Sequence, residues 1–123
     1  VVGTFGRLPY IDPKILNDLD YPYDKQSDIY SFGVLMWEIS SGQCPFYGLD
    51  PTATRLSIIN GKRETPIPDT PEDYRHLYVD CWNGEPQNRP IIDTIAFMSY
   101  LMILLAINLN TFWNTITFSK PYS

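Results

Sequence analysis

A chain of 123 residues, 44% hydrophobic and 15% aromatic, is long enough for one domain, or one piece of a domain, and too apolar to stay disordered. Fourteen acidic residues against nine basic ones leave a formal charge of -5, which excludes the basic footprint of a nucleic-acid binder. Cys44 and Cys81 are too few for a disulfide framework and lack metal-ligand spacing, so an intracellular, cytoplasmic setting is expected, although a single bridge fits the count.

The first residues, Val1-Val2-Gly3-Thr4, carry neither an initiator methionine nor a basic-then-apolar leader, and read as a start inside a larger protein. Gly3, Gly6 and Pro9 punctuate a loop. Asp12-Pro13 then offers a cap and a first-turn proline for a short helix through about Leu16. Asn17 to Gln26 sets Asp18, Asp20 and Asp24 around Tyr21-Pro22-Tyr23, a solvated connection whose proline forbids a continuous helix.

Ser27 to Ser41 holds only Asp28 and Glu38 as charged residues, with Ser27 or Asp24 to cap its start and Gly42 to stop it. Because Ile29, Phe32, Val34, Leu35, Met36, Trp37 and Ile39 occupy every side, this helix is expected to be surrounded by protein. Asp50-Pro51 opens a further helix containing Ala53, Leu56 and Ile59, closed by Gly61. Thr70-Pro71-Glu72-Asp73 opens another, whose Tyr74, Leu77, Tyr78, Cys81 and Trp82 fall at i, i+3, i+4, i+7 and i+8, with Gly84 past its end. The last begins near Pro90 and carries Ile91, Ile95, Phe97, Met98 and Leu101. No segment alternates with period two between hairpin turns, so the fold class is mainly α.

Five motifs in order resemble the C-terminal lobe of a eukaryotic protein kinase. They are Gly6 to Lys14, Asp28-Ile29-Tyr30-Ser31-Phe32-Gly33-Val34, Asn60-Gly61-Lys62-Arg63, Cys81-Trp82 and Asn88-Arg89-Pro90. In the family these positions read G-T-x-x-Y-x-A-P-E, D-x-W/Y-S-x-G-V, G-K-R, C-W and R-P. One such match is weak, whereas five in the right order and spacing are specific. Trp37-Glu38 and Cys81-Trp82 look most like the tyrosine-kinase-like branch. The resemblance covers roughly Gly3 to Met98, which divides the chain into a partial kinase domain at 1–98, lacking the β-rich N-lobe, and an atypical apolar tail at 99–123.

The resemblance implies roles residue by residue. Gly6, Arg7, Leu8, Pro9 and Tyr10 would form the shelf beneath a substrate's acceptor side chain; the alternative is an ordinary Gly/Pro loop. Asp28 would accept hydrogen bonds from the catalytic-loop backbone as a charge-assisted anchor, or be a first-turn acid favoured by the helix dipole. Asp12 and Trp82 are the further structural anchors beside Arg89. Arg7 stands where serine/threonine kinases carry a threonine, which leaves the acceptor class open. Thr4 and Tyr10 lie where phosphorylation sites occur, though a loop threonine and a packed tyrosine are the commoner explanations.

Arg89 is buried in the family against the glutamate of A-P-E, but here the triplet is Asp12-Pro13-Lys14, with a cation in the carboxylate's place. A buried arginine without a counter-charge costs about 3–5 kcal/mol. Asp12 or Glu85 is therefore expected to pair with Arg89 while Lys14 turns to solvent, the alternative being an exposed, unpaired Arg89.

Phosphoryl transfer needs a glycine-rich loop, a strand lysine, the catalytic-loop aspartate and asparagine, and the D-F-G aspartate. None stands in this sequence, so no residue is assigned a catalytic, cofactor-binding or metal role; ATP and magnesium are implied only for the parent kinase. His76, the sole histidine, lies off the Tyr74/Leu77/Tyr78 stripe and reads as solvated.

From Thr94 to Ser119 there is no charged residue, yet the apolar run Ile95 to Ile107, about 13 residues, is shorter than a membrane span needs. A buried or sticky exposed helix is the main reading, with a membrane anchor over Ile95 to Phe118, or sequence without an evolved role, beside it.

Two functions follow. The chain is the back half of a protein kinase, supplying a helical platform and substrate shelf and inactive by itself. Alternatively it is a non-catalytic kinase-like module that docks protein partners through Asp50 to Gly61 and the Phe46-Tyr47 edge, a reading that an exposed Leu56 or Ile59 favours. In either case a missing N-lobe leaves apolar surface and poor solubility.

Overall fold

The computed structural model describes the backbone of residues 7–119 and the side chains of residues 7–107. In chain order it comprises a 3-10 turn at Leu8–Tyr10, α1 (Pro13–Asn17), α2 (Lys25–Ser41), α3 (Pro51–Ile59), α4 (Glu72–Cys81), a second 3-10 turn at Pro86–Asn88 and α5 (Ile92–Ser119). No strand occurs among the described residues, so the fold class is mainly α, as expected. The chain divides after Ile92 into two units.

Local chemistry sets the boundaries of the first unit. Asp24, rather than Ser27, caps α2: its Oδ1 accepts from the N–H groups of Gln26 and Ser27 at 3.0 and 3.3 Å, while Ser27 Oγ accepts from the Asp24 N–H at 3.4 Å. At the other end Gly42 takes the left-handed conformation, φ +66°, and its N–H bonds the carbonyl of Glu38 at 2.8 Å. Asp12 and Asp50 cap α1 and α3, each followed by proline in the first turn. The start of α4 differs from expectation, since Pro71 occupies the cap and Thr70 makes no capping bond. Its end differs too: Trp82 closes the helix with its N–H on Tyr78 at 3.0 Å, and Gly84 lies in the following bend.

The core lies between α2 and α4. Ile29, Tyr30, Val34, Met36 and Trp37 from α2 meet Leu77, Tyr78, Cys81 and Trp82, with Leu16 and Ile58 completing it; all are buried. Gly33 sits at the tightest point, where an added Cβ would lie 2.7 Å from Cys81 Cβ and 3.0 Å from the Tyr78 carbonyl. Polar groups add to this packing: Tyr74 Oη of α4 donates to the Met36 carbonyl of α2 at 2.7 Å, and Trp37 Nε1 donates to the carbonyl of Thr65, in the segment between α3 and α4, at 2.9 Å. In α3 the buried positions are Thr54 and Ile58, whereas Leu56 is exposed.

One expectation fails. Helix α2 is not surrounded on all sides, because Asp28, Phe32, Leu35 and Ile39 form an exposed stripe, with Leu35 44% and Ile39 76% accessible. The helix is apolar around its whole circumference, but within the first unit α4 and the 3-10 turns pack on its other faces.

The second unit begins at Asp93 and holds α5 from its second residue, the helix starting at Ile92, near Pro90 as expected. Phe97, Tyr100, Ile103, Leu105 and Ile107 are exposed, so the sticky-surface reading describes its described part. Among the described residues no helix is long and apolar enough to cross a membrane.

Candidate functional site

A depression of about 530 Å³ opens beside the exposed stripe, and it is lined by the first two of the sequence motifs and the segment between them: Arg7, Tyr10 and Asp12, then Tyr23, and Asp28, Ser31 and Leu35 from α2. Of the expected shelf, Gly6 and the neighbouring Thr4 lie outside the described residues. Arg7 is exposed, Pro9 is buried, and Leu8 and Tyr10 are half-buried. The 3-10 turn is pinned to α2 at two points. Ser31 Oγ donates to the Tyr10 carbonyl at 2.6 Å, and Tyr10 Oη donates to Glu38 Oε2 at 2.7 Å. Burial, reinforced by the Glu38 carboxylate, raises the Tyr10 phenol above its ordinary value.

Asp28 is exposed at the rim of this depression, and Tyr23 Oη donates to its Oδ1. Tyr23 went unnoticed in the sequence because nothing about an aromatic beside Pro22 announces a hydrogen bond to the next helix. Glu38 had a legible signal: one acid in the middle of an apolar helix must find a donor.

Arg89 and Asp12 meet behind the turn. Nη1 of Arg89 donates to Asp12 Oδ2 at 2.8 Å and Nη2 to Oδ1 at 2.9 Å, with both side chains buried. The remaining donors are also used: Nε bonds the Asn83 carbonyl at 2.7 Å and Nη1 that of Gln26 at 2.8 Å. Burial alone would raise the Asp12 carboxyl, but the hydrogen bonds from Arg89 and from the Lys14 N–H outweigh it and hold the group below its ordinary range. Arg89 thus takes Asp12 and not Glu85, and it is not exposed. Lys14 does not turn free to solvent either; its Nζ pairs with Glu85 Oε1 at 3.1 Å on the surface.

Tyr30 links this pair to Arg63, since the guanidinium carbons of Arg89 and Arg63 each stand 5.1 Å from its ring centroid. Trp82, another expected anchor, is buried edge-on against Tyr78 at 4.9 Å and accepts from Arg63 Nε at 2.9 Å through its carbonyl. His76 is exposed, 3.7 Å from Glu72. Cys44 and Cys81 are both free thiols.

The sequence model for protein tyrosine and serine/threonine kinases matches residues 4–98. The chain belongs to the protein kinase family. Human mitogen-activated protein kinase kinase kinase 11 is 42% identical over 90 residues, covering 72% of this chain and 10% of the relative. The human mixed lineage kinase domain-like protein is 36% identical over 87 residues, 70% of this chain and 18% of the relative. The dual specificity protein kinase shkD of Dictyostelium discoideum is 38% identical over 94 residues, 75% of this chain and 12% of the relative. The tyrosine-kinase-like branch fits these kinases. The chain spans between about a tenth and a fifth of their length.

Kinases use ATP with magnesium, and the residues described here do not fit that group. No three His, Cys, Asp or Glu side chains converge among them to hold a metal, and the acid nearest the depression's rim, Asp28, is engaged by Tyr23.

Proposed function

We propose that this chain is the helical platform and substrate shelf of a kinase domain whose parent transfers the ATP γ-phosphate to protein hydroxyls inside the cell, and that these 123 residues alone transfer none. The observation that carries the reading is the exposed stripe Asp28, Phe32, Leu35 and Ile39 running out of the depression beside Arg7 and Tyr10. An apolar ribbon with one carboxylate at its end is a face built to be covered, and a catalytic loop with the strands above it supplies such a cover. In this reading Arg7 to Tyr10 meet the substrate, Asp28 anchors the loop, and Arg89, Asp12 and Trp82 fasten the shelf to the helices. The kinase part runs to about Met98, where the family match also ends, and residues 99–123 are an appended tail.

Incubation of the purified chain with labelled ATP, magnesium and serine, threonine and tyrosine peptides tests the second half; label above a protein-free blank overturns it. The first half is tested by the coding sequence upstream of Val1, where H-R-D and D-F-G codons are expected within some tens of residues.

A second reading has its own observation. Leu56, 51% accessible, and Tyr47, 87% accessible, are exposed on and beside α3, as a docking module for another protein requires. An upstream stop codon in place of those motifs favours this reading over the first.

A further inference from the structure

A second depression, polar and about 290 Å³ in volume, lies between α1, the end of α3 and the bend after α4, and shares no lining residue with the first. Arg63 lines it in a fixed position. Its Nε donates to the Trp82 carbonyl at 2.9 Å and its Nη1 to those of Ile58 and Lys62 at 3.1 and 2.7 Å, while its guanidinium stacks on Tyr30. These bonds use three of the five guanidinium donors. Nη2 keeps both of its own, with no partner among the described residues.

Gly84 leaves that edge open. A Cβ on Gly84 would lie 3.6 Å from Arg63 Nη2 with no other atom within 4 Å, and its φ is not in the left-handed range. The backbone therefore does not require glycine here, and the effect of the missing side chain is access to Nη2. Lys14 lines the same depression, 3.1 Å from Glu85 in a pair that is partly exposed on both sides. Two cations and one carboxylate leave the lining one positive charge.

We propose that this depression binds a single carboxylate, received by Arg63 Nη2 with Lys14 beside it, and that Glu85 is its built-in competitor. A guanidinium already immobilised by three carbonyls loses little freedom on binding, and the Lys14–Glu85 pair is of the weak surface kind that exchanges readily. A phosphate dianion is disfavoured because it would carry two charges against a lining of one, next to Glu85. The carboxylate comes from an acidic side chain of a protein segment or from a small organic acid. None of this depends on the kinase reading.

The test is an NMR titration of the full ¹⁵N-labelled chain with the monocarboxylate butyrate and, separately, with the blocked peptide acetyl-Gly-Glu-Gly-amide, following the Gly84 amide and the Arg63 Nε–H. Saturable shifts of both signals are expected. Saturation by the peptide alone assigns a protein source, and saturation by butyrate a small acid. Gly84→Ala, which covers Nη2, should weaken binding about tenfold without moving the thermal midpoint, and Glu85→Gln should tighten it about fivefold. Absence of saturable shifts with both probes, unchanged affinity in Gly84→Ala, or tighter binding of inorganic phosphate than of butyrate would overturn the proposal.

Discussion

Arg89 grips the Asp12 carboxylate with both terminal nitrogens, at 2.8 and 2.9 Å, in a place that solvent does not reach. A buried fork of this kind is costly to break, because removing one partner strands the other's charge. Asp12→Ala should cost about 3–5 kcal/mol in urea unfolding, a large part of a domain's total of about 5–15 kcal/mol. Lys14→Ala removes a surface pair and should cost no more than about 1 kcal/mol. Equal effects would show that the buried pair does not fasten the first segment.

The same pair sets an acid limb. Since the Asp12 carboxyl lies lower in the folded chain than in the unfolded one, its stabilisation is complete above the unfolded value of about 3.9 and is lost as pH falls through the folded value. Thermal midpoints measured from pH 7 downward should begin to fall near pH 4 and keep falling below it. In Asp12→Asn the neutral plateau should be lower and the decline shallower.

On the alkaline side several acids raised by burial act together, Tyr10, Tyr74 and Tyr78 among them, but Cys81 titrates first in the unfolded chain, ahead of Tyr30 and the other phenols. Burial pushes the Cys81 thiol and the Tyr30 phenol each up to about 12. Both are neutral in the folded chain, so their contribution is full below the unfolded values of about 8.5 and 10 and is lost as pH climbs towards 12. Midpoints should fall from about pH 9 upward, and Cys81→Ala should delay the onset to about pH 10. A thiol reagent at neutral pH should label exposed Cys44 at once and Cys81 only on unfolding.

Gly33→Ala sets helix propensity against packing. Alanine is favoured over glycine within a helix by about 1 kcal/mol, but its Cβ would stand 2.7 Å from that of Cys81, and the Tyr78 backbone behind it cannot retreat easily. Net destabilisation of about 1–3 kcal/mol is expected in a denaturant titration. A stabilised variant would mean that α2 and α4 can separate at no cost.

Much of this architecture could be read from residue spacing. The caps at Asp12 and Asp50, the stop at Gly42 and the buried face Leu77, Tyr78, Cys81 and Trp82 are local signals, fixed by neighbours within a turn or two. The wet side of α2 was not legible, since an apolar residue looks the same whether or not its cover is present. Replacement of the family's glutamate by Lys14 announced a rearrangement around Arg89, and Asp12 stood among the two acids in reach by sequence. Assigning Glu85 to Lys14 needed three dimensions, because 71 residues separate that pair. Arg63 on the Tyr30 ring is likewise a contact between residues distant in sequence, whereas Tyr23 and Asp28 are five residues apart and meet because the segment before α2 turns back onto its first turn.

The ribbon of Phe32, Leu35 and Ile39 makes folding an incomplete event for these residues. A chaperone that releases its clients once greasy side chains vanish from view would find this one unchanged after its helices have assembled. On the proposed function, maturation is completed when that ribbon is covered, and until then a native copy and a damaged one present the same mark.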